Sequence, residues 1–84
     1  MELIQSRGTI FGRRYYNVLV TGLTINQEEQ VFGDMVGWNV ENFGKSKWLK
    51  DQLAPVPHQR WYSYSGSFWF REKDDMLHFI LRWS

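Results

Sequence analysis

Cysteine is absent from the 84-residue chain, so neither a disulfide nor a thiolate metal site can staple its fold. Such a composition suits a reducing cytoplasm. Long apolar runs are missing too. Val18–Val20 and Phe79–Leu81 fall far short of the ~20 residues that a membrane-spanning helix needs. The opening Met1-Glu2-Leu3-Ile4-Gln5 has neither the basic start nor the apolar stretch of a secretory signal. These shortages predict a cytoplasmic protein with no membrane partner. Charge of one sign is not in excess either: at a net charge of +1, any affinity for a polyanion has to come from local clustering.

Groups that carry chemistry are equally scarce. Nucleophilic catalysis asks for a Ser or Thr beside a positioned His and an orienting acid, and the only imidazoles are His58 and His78, neither in a catalytic motif. Zinc would find too few ligands. Asp74 and Asp75 stand where a helix begins, which explains two carboxylates by the helix dipole without invoking acid–base work or magnesium. The glycines follow neither the phosphate-loop nor the dinucleotide spacing. The sequence therefore predicts no enzyme, no cofactor and no metal, and a role in binding.

Aromatic residues are what the chain has in abundance: fifteen, five of them Trp. They suit a compact core made from few side chains, but a single domain spanning residues 1–84 cannot hide fifteen rings. Some reach the surface, where Tyr and Trp serve recognition.

Arg13–Thr21 reads as a strand, rich in β-formers, closed by Gly22 and apolar on both faces, as an interior strand would be. Leu3–Phe11 can pair with it through Gly12-Arg13. Asn26 followed by Glu29 resembles a capping box. Behind it Val31, Phe32, Met35, Val36, Val40 and Phe43 recur at helical spacing up to Gly44. Gly33 and Gly37 fall on one side of this helix and predict close backbone packing within the domain. Ser46–Leu53 has the pattern of a short second helix, ended by Pro55 and Pro57. Arg60–Tyr64 and Ser67–Arg71 flank Ser65-Gly66 as a tight hairpin. Glu72–Asp75 opens a last helix, and Phe79–Trp83 can close the chain as a strand. The expected fold is α+β: a small antiparallel sheet with helices on one face, in an order that resembles the ferredoxin-like β-α-β-β-α-β arrangement.

A two-residue turn at Ser65-Gly66 pairs Tyr64 with Ser67, Tyr62 with Trp69 and Trp61 with Phe70, and residues directly opposite share a face. Trp61, Ser63, Phe68 and Phe70 then form the core side, uncharged and rich in Phe. Arg60, Tyr62, Tyr64, Trp69 and Arg71 form the other, three rings bracketed by two guanidinium groups. Three readings fit that face. It could dock a protein, since Tyr, Trp and Arg dominate interface hot spots. It could stack single-stranded nucleic acid, whose bases and phosphates want rings and Arg. It could also lie under a helix. A second basic group, Arg13, Arg14, Lys45, Lys47 and Lys50, would suit an anionic partner if the fold brought it together. Self-association, as in a virion component, is a further alternative.

The segment from Arg60-Trp61-Tyr62 through Phe68-Trp69-Phe70-Arg71-Glu72-Lys73-Asp74-Asp75 to Phe79-Ile80-Leu81-Arg82-Trp83 resembles the C-terminal part of small uncharacterised proteins of tailed bacteriophages. There an aromatic strand, an acidic helix start and an apolar-x-apolar-x-Trp ending recur. The resemblance covers the C-terminal third and transfers no site residues. It implies a host-cytoplasmic accessory or counter-defence factor that binds a host or defence complex.

Overall fold

The computed structural model describes residues 1–10, 12–46, 48, 49, 54, 55, 58–64 and 66–84. Strands β1 (Glu2–Ile10) and β2 (Arg13–Thr21) form the expected first hairpin. Its reversal uses Gly12 at φ +75°, a conformation that side-chain-bearing residues avoid. The pairing sets Ile4 opposite Leu19, Ser6 opposite Asn17 and Gly8 opposite Tyr15.

Helix α1 (Ile25–Phe43) starts earlier than Asn26 predicts. Thr24 is the N-cap: its hydroxyl accepts from the Gln27 backbone N–H (3.3 Å), and the Gln27 side chain accepts from the Thr24 N–H (3.1 Å). Thr-x-x-Gln makes the reciprocal box as well as an Asn-x-x-Glu would, and it sits where the chain leaves β2. Gly44 ends the helix at φ +86°, ψ 173°, a region open almost only to glycine. Its N–H still reaches the Val40 carbonyl.

The helix expected over Ser46–Leu53 is corrected at Trp48–Leu49. These two residues form β3 and pair with β4 (Ala54–Pro55). A short apolar run does not distinguish helix from strand until a partner is supplied. Lys47 and residues 50–53 of that expected helix lie outside the described residues.

The second main hairpin, β5 (Trp61–Tyr64) and β6 (Ser67–Phe70), has the register read from the sequence: Trp61 with Phe70, Tyr62 with Trp69, Tyr64 with Ser67. Strand β6 also pairs antiparallel with β2, which gives a four-stranded sheet in the order β1-β2-β6-β5 and makes β2 interior as expected. The chain is thus α+β with an antiparallel sheet. The expected succession is β2-α1-β5-β6-α2, a split β-α-β in which β6 lies between the parallel β2 and β5.

The fourth place in the sheet is taken by β1 from the front of the chain. The expected closing strand Phe79–Trp83 is instead the end of α2 (Lys73–Trp83). Packing decides this: as a helix the segment turns Met76 and Phe79 together into the core, whereas a strand would need a sheet edge. Val18, Val20, Phe68, Phe70 and Trp61 from the sheet meet Met35 and Phe43 of α1 and Met76 and Phe79 of α2, so both helices cover one face.

Gly33 and Gly37 correct another expectation. A Cβ added at either would meet nothing within 4 Å, so among the described residues no backbone approaches them. They face outward on α1 as plain interruptions of helix propensity. The double substitution Gly33→Ala, Gly37→Ala is therefore expected to stabilise the fold by about 2 kcal/mol, since each exposed helical Gly costs about 1 kcal/mol against Ala. A denaturation midpoint that fails to rise would show that the glycines are needed in the folded state.

Candidate functional site

Alternation along the strands leaves a second sheet face away from the helices. Three rows cross it. Gly8 and Tyr15 lie at one end, Ser6, Asn17, Trp69 and Tyr62 in the middle, and Ile4, Leu19, Ser67 and Tyr64 at the other. This is the face to which the sequence assigned Tyr62, Tyr64 and Trp69. Among the described residues, no helix covers it.

The end near Tyr15 is nevertheless closed. The Tyr15 hydroxyl donates to the Gln59 carbonyl (2.8 Å), and the Gln59 N–H donates to the Tyr62 hydroxyl (2.9 Å). The two phenol oxygens are 3.4 Å apart. Either phenol can donate in that contact, and the three contacts close a ring that ties residue 59 down over the sheet. His58, at φ +67°, turns the chain into this position, and its carbonyl accepts from Arg71 Nη1 (3.1 Å). Tyr62 is 1% exposed in consequence, which removes it from any surface reading.

Arg60 leaves the face altogether. The sequence pattern places it beside Tyr62, and its carbonyl still accepts from the Arg71 N–H (2.9 Å), but it stands just before β5, which begins at Trp61. Its guanidinium turns to the helix side, where it grips Asp75 of α2 with two hydrogen bonds of 2.6 and 2.9 Å and lies 5.0 Å from the centre of the Phe43 ring. The bond to Asp75 raises the Arg60 pKa above its ordinary value. Asp75, read at first as a helix-dipole acid, is thus one half of a bidentate clamp between α2 and the start of β5.

Trp69 is half-buried, its ring laid across the strands onto Gly8: a Cβ there would stand 2.6 Å from its Cζ3. Beneath it Asn17 donates to the Phe68 carbonyl and accepts from Ser6 Oγ. Arg71 remains exposed, 3.4 Å from Glu72 and bonded to His58 as above.

The open remainder is the row that the sequence named only through Tyr64. Ile4 (46% exposed), Leu19 (37%) and Tyr64 (69%) form a band across the four strands with no charge among them. Tyr64 also borders a groove that rounds the β5 edge between Phe32 and Val36 of α1 and the hairpin tip at Gly66. The signal that could have found Leu19 was the unbroken Val18-Leu19-Val20 run. With Val18 and Val20 in the core, its middle member has to face the other way.

The second basic group is not assembled. Arg13 is opposite Ile10 and Arg14 opposite Thr9, so the two point to opposite faces. Lys45 is exposed beyond α1, and Lys47 and Lys50 lie outside the described residues. His78 sits mid-helix rather than at a helix–strand joint, its ring edge-on to Trp38 at 5.1 Å. Among the described residues no group of three or more His, Asp or Glu could hold a metal ion, and no helix is long and apolar enough to cross a membrane.

The Tyr15–Gln59–Tyr62 ring has a measurable pH signature. Burial, and next the hydrogen bond with Tyr62, pushes the Tyr15 phenol well above its ordinary value of 10.0. Unfolded Tyr15 therefore loses its proton before folded Tyr15 does. Its contribution to stability is whole below about pH 10 and falls as the pH rises beyond that. Ultraviolet titration should show a phenol, absent from Tyr15→Phe, that stays protonated well above pH 10. Four phenols titrating together near pH 10 would break the account.

Comparison with protein-family models, with curated proteins and with solved structures finds no match for this chain.

Proposed function

We propose that this chain is a non-enzymatic, protein-binding domain that docks its partner on the helix-free face of the sheet. One observation carries the reading: the uncharged Ile4–Leu19–Tyr64 band stands exposed on a face over which, among the described residues, no helix lies. Half-buried Trp69 borders it, and an aromatic anchor among aliphatic side chains is what protein interfaces use.

Single-strand nucleic-acid binding is the weaker reading. It needs cations beside accessible rings. Arg60 is committed to Asp75 and Tyr62 is sealed, and the exposed guanidinium groups of this face, Arg71 and Arg13, stand at the covered Tyr15 end, away from the open band. The resemblance to tailed-phage proteins directs the search for a partner to a host or defence complex in the bacterial cytoplasm.

Quantitative affinity capture from lysate of tailed-phage host cells tests the proposal, with the wild type set against Leu19→Glu, Tyr64→Ala. Partners bound through the band are expected to be lost with the double variant, while its thermal midpoint stays near the wild-type value, since exposed substitutions usually stay within about 0.5 kcal/mol. Equal recovery of every protein by both would sink the reading. An oligonucleotide that binds at low salt, with a steep salt dependence, would replace it by the nucleic-acid one.

A further inference from the structure

We propose that the outer edge of β1 takes up an extended, acidic segment of a partner protein as a fifth strand of the sheet. The backbone ladder fixes which groups are on offer. Val20 N–H donates to the Gly66 carbonyl, so residues 16, 18 and 20 of β2 bond towards β6, and residues 15, 17, 19 and 21 bond towards β1. Through the β1–β2 register these meet Gly8, Ser6, Ile4 and Glu2. Leu3, Gln5, Arg7 and Thr9 consequently aim both their N–H and C=O groups outward, where no described strand pairs with them. Nine residues without Pro or Lys make this a long and unguarded edge, the feature that recruits an added strand.

Charge names the occupant. On the helix side the edge borders a groove formed by Gln5, Arg7, Tyr16, Lys73 and Met76. The Arg7 guanidinium lies 5.1 Å from the centre of the Tyr16 ring, and neither Arg7 nor Lys73 has an acidic partner among the described residues. A strand laid here meets two uncompensated cations on one face and exposed Ile4 on the other. The complementary segment alternates Asp or Glu with aliphatic residues.

A second copy of the chain fits less well. Antiparallel self-pairing with the fullest overlap sets Leu3 against Thr9 and Gln5 against Arg7, which leaves the two Arg7 side chains as like-charged diagonal neighbours. The inference shares only Ile4 with the sheet-face reading, because the outward main-chain groups and the Arg7–Lys73 pair that carry it lie outside the Ile4–Leu19–Tyr64 band.

A displayed library of random nine-residue peptides, panned on the full chain, tests it. The enriched peptides should alternate acidic and aliphatic residues. A fluorescein-labelled synthetic peptide of that consensus should lose at least about tenfold in affinity against Arg7→Glu and against Gln5→Pro. Gln5→Pro deletes an outward N–H and leaves every β1–β2 bond in place, as edge positions tolerate. Arg7→Glu alters only an exposed side chain, so the two variants do not share a folding risk. Tyr64→Ala, on β5 at the opposite edge of the sheet, should bind the peptide as the wild type does, which separates this edge from the sheet face. Three results would overturn the proposal: no enrichment, a consensus free of acids, or equal binding by the wild type and both edge variants. A concentration-dependent dimer abolished by Gln5→Pro would likewise overturn it, in favour of self-pairing.

Discussion

Phe79→Ala is expected to bring the domain close to unfolding at room temperature. Phe79 is fully buried where α2 meets the sheet, with its ring centre 4.9 Å from that of Phe68, 5.2 Å from Phe70 and 6.3 Å from Trp38. Phe43 of α1 also links β6 and α2, but at longer range, 5.8 Å to Phe70 and 6.0 Å to His78. Truncating a buried Phe to Ala costs about 3 to 5 kcal/mol, through lost transfer free energy and the cavity left behind. The whole stability of a chain this long is only about 4 to 13 kcal/mol. Chemical denaturation should show the midpoint falling by about a quarter or more with an unchanged slope. A loss below about 1 kcal/mol would mean that α2 is not held through this ring.

The second large effect has the opposite sign. Asn39 is completely buried on α1, on the same helical face as Met35 and Phe43, and neither its Nδ2 nor its Oδ1 has a hydrogen-bond partner among the described residues. A buried amide without partners forfeits its bonds to water and gains nothing in return, at a cost of about 1 to 3 kcal/mol. Asn39→Leu replaces it with an apolar group of similar size that also favours the helix more. The fold should gain about 1 to 3 kcal/mol, and in a domain of this size each kcal/mol moves the thermal midpoint by about 4 to 8 °C. Destabilisation by Asn39→Leu would show that the amide is bonded in solution.

Both effects concern the helix-covered side, and they can be separated from the binding predictions. Ile4, Leu19 and Tyr64 are exposed on the opposite face, and Leu3, Gln5, Arg7 and Thr9 turn their free main-chain groups to the sheet edge. A variant on either surface that lost its partner while keeping the wild-type midpoint would be defective in binding and not in folding.

Local physics made much of the fold legible in the amino-acid order. Gly12 and Gly66 mark turns because positive φ is nearly free for glycine, and each turn fixes the register of its hairpin. Once that register was known, alternation by itself separated Phe68 and Phe70 from Tyr64 and Trp69. The α1 stripe and its end at Gly44 follow from helical spacing and from the same glycine freedom.

Tertiary structure decided what depends on residues far apart in the chain. Phe79–Trp83 is apolar enough for a strand or a helix, and the available surface beside Phe68 and Phe70 made it helical. Arg60 sits next to a strand whose alternation would aim it at Tyr62, yet Asp75, fifteen residues on, draws it to the other side. Tyr62 has a place on the helix-free face by its position in β5, but its burial needs Tyr15, 47 residues away, to hold Gln59 over it. Sequence position determined which face each side chain of the hairpin points to, because alternation is a property of the backbone. Which part of that face stays open was decided by long-range hydrogen bonds and packing, which no local pattern encodes.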